Sequence, residues 1–299
     1  MKKVILIFIF SCFCVSILFS QENKNELQAI ENITYANFKH KDSVYTKLNL
    51  ILPKNVENPP ILIWIGGGAW AYVDRHKEMG LCRKLAEKGI AVISVGHRLS
   101  PALLGRKDDK AEGIQHPEHI KDIVKAFKWI INNGEKYGMD VENIYVGGYS
   151  SGAHLSCLLA ADKKYVENLG LKTTNIRGII PIGGAYDIPF YKELLISVEP
   201  SYLEKHIEPV FGKTNEQHKD ASPITFIENL KLPIFLIDEG QTYVYNQEFE
   251  KKLLEQGNLQ IQSLHLYNET HASLWTKLSN EKEYVVREMI VEFIQKYKK

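Results

Sequence analysis

Ser150 lies at the centre of Gly148-Tyr149-Ser150-Ser151-Gly152, between a β-branched run, Asn143–Gly147, and a helical pattern, Ala153–Ala160. A G-x-S-x-G that joins strand to helix is a nucleophile elbow. Its turn is so tight that the flanking positions accept almost no side chain, and it lifts the serine hydroxyl clear of the sheet. The next N–H, that of Ser151, falls beside the carbon under attack. A second glycine run, Gly66-Gly67-Gly68-Ala69-Trp70, follows a predicted strand about eighty residues earlier, where such a sheet places its other oxyanion donors. Without side chains, Gly67 and Gly68 let backbone N–H groups approach a substrate oxygen, so these two and Ser151 form the candidate oxyanion hole. The chemistry implied is nucleophilic acyl transfer through a covalent intermediate on Ser150.

The elements that must position these groups read as apolar runs alternating with helical stripes. Strands are expected near Ile33–Phe38, Val44–Leu52, Ile61–Ile65, Ile90–Val95, Ile144–Val146, Gly178–Ile182, Pro233–Ile237 and Ile261–Tyr267. Several later ones are continuously apolar, as parallel strands covered on both faces are. Ile120, Ile123, Val124, Phe127, Ile130 and Ile131 hold a 3.6-residue stripe. Phe249, Leu253 and Leu254 mark another, ended by Gly257, and Val285, Val286, Met289, Ile290, Phe293 and Ile294 line a last one. This alternation predicts an α/β fold, an eight-stranded, mostly parallel sheet with helices on both faces, whose ligands bind at the carboxyl ends of the strands. Two stretches interrupt it. Residues 103–115, with Arg106, Lys107, Asp108, Asp109 and Lys110, read as a solvated loop; residues 190–221, with Tyr191, Tyr202 and Phe211, read as surface padding or as a partial lid.

Met1-Lys2-Lys3 precedes an apolar run, Val4–Phe19, that switches abruptly to polar residues after Ser20. This describes a secretory signal peptide over residues 1–20, cleaved near Ser20, and an exported protein, periplasmic or secreted. An uncleaved anchor is the alternative, although the run is short for a membrane span. Residues 21–299 then form one domain with no stable membrane span. Loss of residues 1–20 removes Lys2 and Lys3 and no acid, which moves the formal charge from +1 to −1. Outside the tail residues Lys296, Lys298 and Lys299 there is no basic stripe, so no nucleic-acid partner is expected. Cys82 and Cys157 read as buried free thiols rather than a disulfide.

These motifs together resemble the α/β-hydrolases of the esterase/lipase group that includes kynurenine formamidase-like and acetylxylan/feruloyl esterase-like enzymes. Pro60–Trp70 is similar to that group's strand followed by H-G-G-A-W, and Asp74-Arg75 to its G-D-[KR]. His97-Arg98-Leu99-Ser100-Pro101 resembles Y-R-L-S-P, and Lys136-Tyr137-Gly138-Met139-Asp140 resembles K-Y-G-I-D. Gly148–Leu155 stands for G-H-S-A-G-A-H-L, and Gly183–Asp187 for S-G-x-Y-D. Departures accompany the matches. Gly66 stands where the group has histidine, which leaves the oxyanion loop looser or passes its bracing to Trp70 and Arg75. His97 replaces a tyrosine and Val73 a glycine, both read as packing changes.

The general base of such a fold follows the eighth strand, and His271 resembles the group's histidine there. Other histidines have blander readings: His265 as a packed strand residue, His154 pointing along its helix, His116 and His119 as capping or surface groups. The acid is less regular. Its usual position after the seventh strand falls on Gln241, Thr242 or Tyr243, none of which carries a negative charge at neutral pH. Three supplies stay open. Asp238 leads, as a residue leaving the carboxyl end of the strand, with Glu239 beside it; Asp187, after the sixth strand, is another; the third is a Ser150–His271 dyad with no acid.

The resemblance implies a serine hydrolase that cleaves carboxylic esters, acetyl or feruloyl groups on plant polysaccharide among them, with catalytic Ser150, His271 and Asp238, and with no metal and no cofactor. A small-molecule or polysaccharide-linked ester is the expected partner. A formamidase-like amidase using the same residues is one alternative. A non-catalytic binding protein that keeps the fold is another, motivated by the displaced acid.

Overall fold

The continuous apolar runs become the strands of a single sheet, and the striped segments become the helices that cover it. The computed structural model describes residues 25–38, 40–104 and 112–299. The signal peptide read in residues 1–20 and the charged stretch Arg106–Lys110 lie outside the described residues. The strands are β1 (Leu27–Thr34), β2 (Lys47–Pro53), β3 (Pro60–Ile65), β4 (Ala91–Val95), β5 (Asp140–Tyr149), β6 (Ile176–Ile182), β7 (Ile234–Glu239) and β8 (Ile261–Leu266). The helices are α1 (Met79–Ala86), α2 (Glu118–Asn133), α3 (Ser151–Ala161), α4 (Lys163–Glu167), α5 (Ile188–Val198), α6 (Glu208–Phe211), α7 (Asn215–Asp220), α8 (Tyr243–Glu255), α9 (His271–Asn280) and α10 (Val285–Tyr297).

The strand order is β1-β2-β4-β3-β5-β6-β7-β8. β2 runs antiparallel to β1 and β4, and all other neighbours are parallel. The carboxyl ends of β3, β5, β6, β7 and β8 therefore open on one edge of the sheet, where the candidate residues gather.

Successive side chains on a strand point to opposite faces, and each face has its own core. Ile61, Ile63, Ile234 and Leu236 pack with Ile123 and Phe127 of α2, Leu158 of α3 and Phe249 of α8. Leu62, Trp64, Phe235 and Ile237 pack instead with Leu81 and Leu85 of α1, Leu274 of α9, and Ile290 and Phe293 of α10. This parity decides which helix each side chain at a strand end will meet.

The first strand lies earlier than the pattern predicts. It spans Leu27–Thr34 rather than Ile33–Phe38, because its register slips between Ile30 and Ile33. Asn32 takes the left-handed backbone there, at φ 64°. The bulge spaces Leu27, Ile30 and Ile33 by three residues and hides the two-residue alternation. Cys82 and Cys157 are buried free thiols, as expected. Among the described residues, no helix is long and apolar enough to cross a membrane.

The elbow depends on the absence of two β-carbons. A Cβ on Gly148 would stand 2.4 Å from the backbone of Gly152, and one on Gly152 would stand 1.9 Å from the Ile65 carbonyl oxygen. Strand β5 can turn into α3 directly beneath the end of β3 only with glycine at both positions. Gly152→Ala is therefore expected to destabilise the protein by about 3 kcal/mol or more in urea unfolding. Gly170→Ala, at φ 71° with nothing within 4 Å of the added carbon, should cost only about 1 kcal/mol. Equal losses at the two sites would contradict the steric account.

Candidate active site

Ser150 takes φ 54° and ψ −118°, a conformation that non-glycine residues rarely adopt. Two bonds hold it there. Its N–H donates to the Ile182 carbonyl at 2.8 Å, and its own carbonyl accepts from His154 N–H at 3.2 Å, which starts α3. The strain lifts the side chain off the sheet edge and leaves Ser151 as the first residue of α3, at a helix N-terminus suited to negative charge.

The glycine run after β3 bends back beside it. The Gly68 carbonyl accepts from the N–H groups of Ala71 at 2.9 Å and Tyr72 at 2.7 Å. Gly68, Ala69 and Trp70 all have positive φ, and a Cβ on Gly68 would stand 2.6 Å from the Tyr72 backbone. A Cβ on Gly67 would stand 3.2 Å from that of Ser150, so Gly67 lies directly against the candidate nucleophile.

Trp70 pins this loop to the segment after β6. Its ring packs on Tyr191, His206 and Phe211. Its indole N–H donates to His154 Nδ1 at 3.2 Å, and His154 Nε2 donates to the Ala221 carbonyl at 2.7 Å. Burial pushes the His154 imidazole down to about 3, so it is a neutral tie. Arg75, the other residue expected to brace the loop, bonds instead to Asn49, Asn32 and the Val44 carbonyl, under β1 and β2.

His271 opens α9 and is held on three sides. Its backbone N–H donates to Gln241 Oε1 at 2.8 Å, its carbonyl accepts from the Tyr149 hydroxyl, and its Nδ1 meets Glu239 Oε1 at 2.9 Å. Gly183, at φ 61°, leaves room for the ring, since a Cβ there would stand 3.1 Å from His271 Cε1. Glu239 is fully buried and also accepts from the Gln241 N–H at 2.7 Å and the Thr242 hydroxyl at 2.8 Å. Burial would raise its carboxyl, but the bonds from His271, Gln241 and Thr242 hold it below the ordinary value. It is therefore an ionised acceptor for an imidazole N–H. Ser150 and His271 together line two cavities, one of about 200 Å³ with Ser151, Trp70 and Tyr191, the other of about 550 Å³ with Gly67, Gly68 and Trp275.

The carboxylate on His271 is thus Glu239, not Asp238. Asp238 is the one β7 residue opposite His265 in register, and its carboxylate bonds His265 Nδ1. Parity explains the exchange: Asp238 shares a face with Ile234 and Leu236, whereas Glu239 shares the face of Phe235 and Ile237 that α9 covers. The extra methylene of glutamate spans the gap that a residue two places further along would otherwise close. Asp187 caps α5, accepting the Phe190 N–H at 3.1 Å. His265 is a partly exposed partner of Asp238 rather than a packed core residue. His116 and His119 are not surface caps: both are buried, His116 against Asp220 at 3.2 Å and His119 against the Ser100 hydroxyl at 2.9 Å.

Glu78 had no signal in the sequence. It is 2% exposed and borders the larger cavity. Burial pushes its carboxyl up to about 7, against the lowering effect of hydrogen bonds from Trp64 and Trp275.

Comparison with known proteins places this geometry. The BD-FAE family model matches residues 48–252. The chain is 28% identical over 183 residues to the probable carboxylic ester hydrolase LipM of Mycobacterium tuberculosis, covering 60% of this chain and 40% of that one. It is 22% identical over 259 residues to a kynurenine formamidase of Danio rerio, covering 84% and 78%. The chain spans half or less of the length of the mycobacterial relatives it matches. Esterase B of Lactobacillus Rhamnosis superposes with a TM-score of 0.73 at 19% identity, over 91% of this chain and 85% of that one, a likeness of fold.

The buried Glu78 has a consequence for stability. Its folded value, about 7, lies above the ordinary 4.5, so the folded protein keeps a proton that the unfolded chain releases. Stability contributed by this group is full below the unfolded value and falls as pH rises to about 7, by roughly 3 kcal/mol. Glu78→Gln should therefore gain stability relative to the native protein between mildly acidic and mildly alkaline pH. Urea unfolding at both would show it, and a difference independent of pH would contradict it.

Proposed function

The chain belongs to the BD-FAE family of α/β-hydrolase esterases, and from that premise we propose that it is a serine hydrolase cleaving carboxylic esters through an acyl-enzyme on Ser150. The observation that carries this reading is the bond to a buried, ionised Glu239 from Nδ1 of His271, which lines the same cavity as Ser150. With Nδ1 engaged, the proton-accepting nitrogen of His271 is Nε2. Ser150 Oγ attacks the acyl carbon as Nε2 takes its proton, and Glu239 fixes the tautomer and stabilises the imidazolium that forms. The N–H groups of Gly67, Gly68 and Ser151 receive the tetrahedral oxyanion. His271 then returns the proton to the departing alcohol, and water repeats the sequence on the acyl-enzyme.

The two cavities suggest how an ester divides between them. The smaller one is walled by Trp70, Tyr191, Tyr245 and Gly183–Ala185 and suits a short acyl group such as acetyl. The larger one has Asp74, Lys77, Thr276 and the Trp275 ring at its edge and suits a hydroxyl-rich alcohol, as on a polysaccharide side chain. The segment over residues 190–221 acts in this reading as a partial lid, contributing Tyr191 to the acyl wall. Export follows from the apolar run Val4–Phe19, which favours an extracellular ester.

A fluorophosphonate probe followed by mass mapping tests the nucleophile. Labelling at Ser150 that is lost in His271→Ala is expected; folded protein that takes up no probe would leave a non-catalytic binding protein as the better account. Among p-nitrophenyl esters, acetate and butyrate should exceed octanoate by about tenfold or more in kcat/KM, the order of discrimination a few misfitting methylenes give. Faster turnover of methyl ferulate would overturn the acyl assignment, and faster turnover of N-formyl arylamines would overturn the ester reading.

A further inference from the structure

The residue after β3, Gly66, has no side chain, and the space beside it is full. A Cβ built on Gly66 would stand 2.9 Å from Glu78 Cγ and 2.9 Å from its Oε1. The carboxyl group from the start of α1 therefore occupies the volume that a side chain at position 66 would take. Its two oxygens are both engaged. Oε2 accepts the Trp64 indole N–H at 2.8 Å, and Oε1 accepts that of Trp275 at 3.3 Å.

These donors come from the two elements whose relative placement matters most. Trp64 lies on β3, two residues before Gly66, and Trp275 lies on α9, one helical turn after His271. Parity turns Trp64 to the face that α1 and α9 cover. A carboxyl group can offer one acceptor oxygen to each of two converging indole N–H groups.

We propose that Glu78 is a positioning residue for the ester hydrolysis set out above: it supplies from α1 the brace that the oxyanion loop lacks at Gly66, and ties that loop to the helix that carries His271. This role rests on the hydrolase reading and is separable from it. Glu78 acts through its neighbours, since both its oxygens point to indoles. Its loss leaves the buried Trp64 indole N–H and the part-buried Trp275 indole N–H unpaired and frees the loop to shift against His271. A shift of about 1 Å in such a site costs on the order of a hundredfold in rate.

The test is the kcat and KM of the full chain on p-nitrophenyl acetate, with thermal unfolding as a control. Glu78→Ala should lower kcat by about ten- to a hundredfold with KM little changed. Glu78→Gln, which still accepts one indole N–H, should recover most of that loss. Gly66→Ala, whose methyl displaces the carboxyl group, should also lower kcat, and the double variant should be no worse than Glu78→Ala alone. A folded Glu78→Ala with undiminished kcat, or a loss confined to KM, would overturn the proposal. Should Glu78→Ala not fold, Gly66→Ala decides: reduced kcat with steady KM supports the role, and unchanged kcat overturns it. A wild type that neither turns over ester nor takes label at Ser150 contradicts the hydrolase reading and this role with it. An active wild type beside an equally active Glu78→Ala contradicts the role of Glu78 alone.

Discussion

The α-carbon of Gly152 lies so close to the Ile65 carbonyl that a methyl group between them would stand 1.9 Å from the oxygen. This one backbone contact fixes the rest. It brings the end of β3 against the start of α3, which sets the glycine loop that leaves β3 beside Ser150. It also forces β5 to reverse within two residues, and the reversal is what gives Ser150 its positive φ. Closeness of backbone to backbone, rather than any side-chain bond, makes the candidate nucleophile and the candidate oxyanion donors neighbours.

The pairing of His271 with Glu239 depends on a second constraint, the alternation of side chains along β7. Because α9 covers the face that carries Phe235 and Ile237, the next residue of that parity, Glu239, is the one that reaches His271. Its neighbours complete the bond. Gln241 and Thr242, two of the positions where the sequence pattern led one to expect the acid, here donate to Glu239, and Gln241 also receives the His271 N–H. The carboxylate that meets His271 lies on the strand itself, and the residues just after the strand hold it. At the glycine loop after β3, Gly66 likewise lacks a side chain and Glu78 enters its space from another element.

Much of this was legible in the chain. All eight expected strands overlap strands of the sheet, the first only by Ile33 and Thr34, and the elbow, the glycine loop and His271 meet at one edge. The failures have a common physical origin. A strand buried on both faces, such as Pro233–Ile237, is apolar throughout and carries no alternation from which to tell Asp238 from Glu239. The β-bulge at Asn32 broke the period that would have located β1. The burial of His116 depends on Asp220, more than a hundred residues away, and Glu78 is recruited by two indoles from β3 and α9. Contacts of that range leave no local mark in a sequence.

The central claim is that Glu239, and not the adjacent Asp238, completes the site on His271. It is tested most directly by kcat/KM on a short-chain ester for Glu239→Gln and Asp238→Asn. Neutralising the acid of a serine protease triad costs on the order of 10⁴ in rate while geometry is kept. Glu239→Gln is predicted to fall by a factor approaching that, and Asp238→Asn to stay within a few-fold of the native protein. A large loss in Asp238→Asn beside near-native activity in Glu239→Gln would contradict the account.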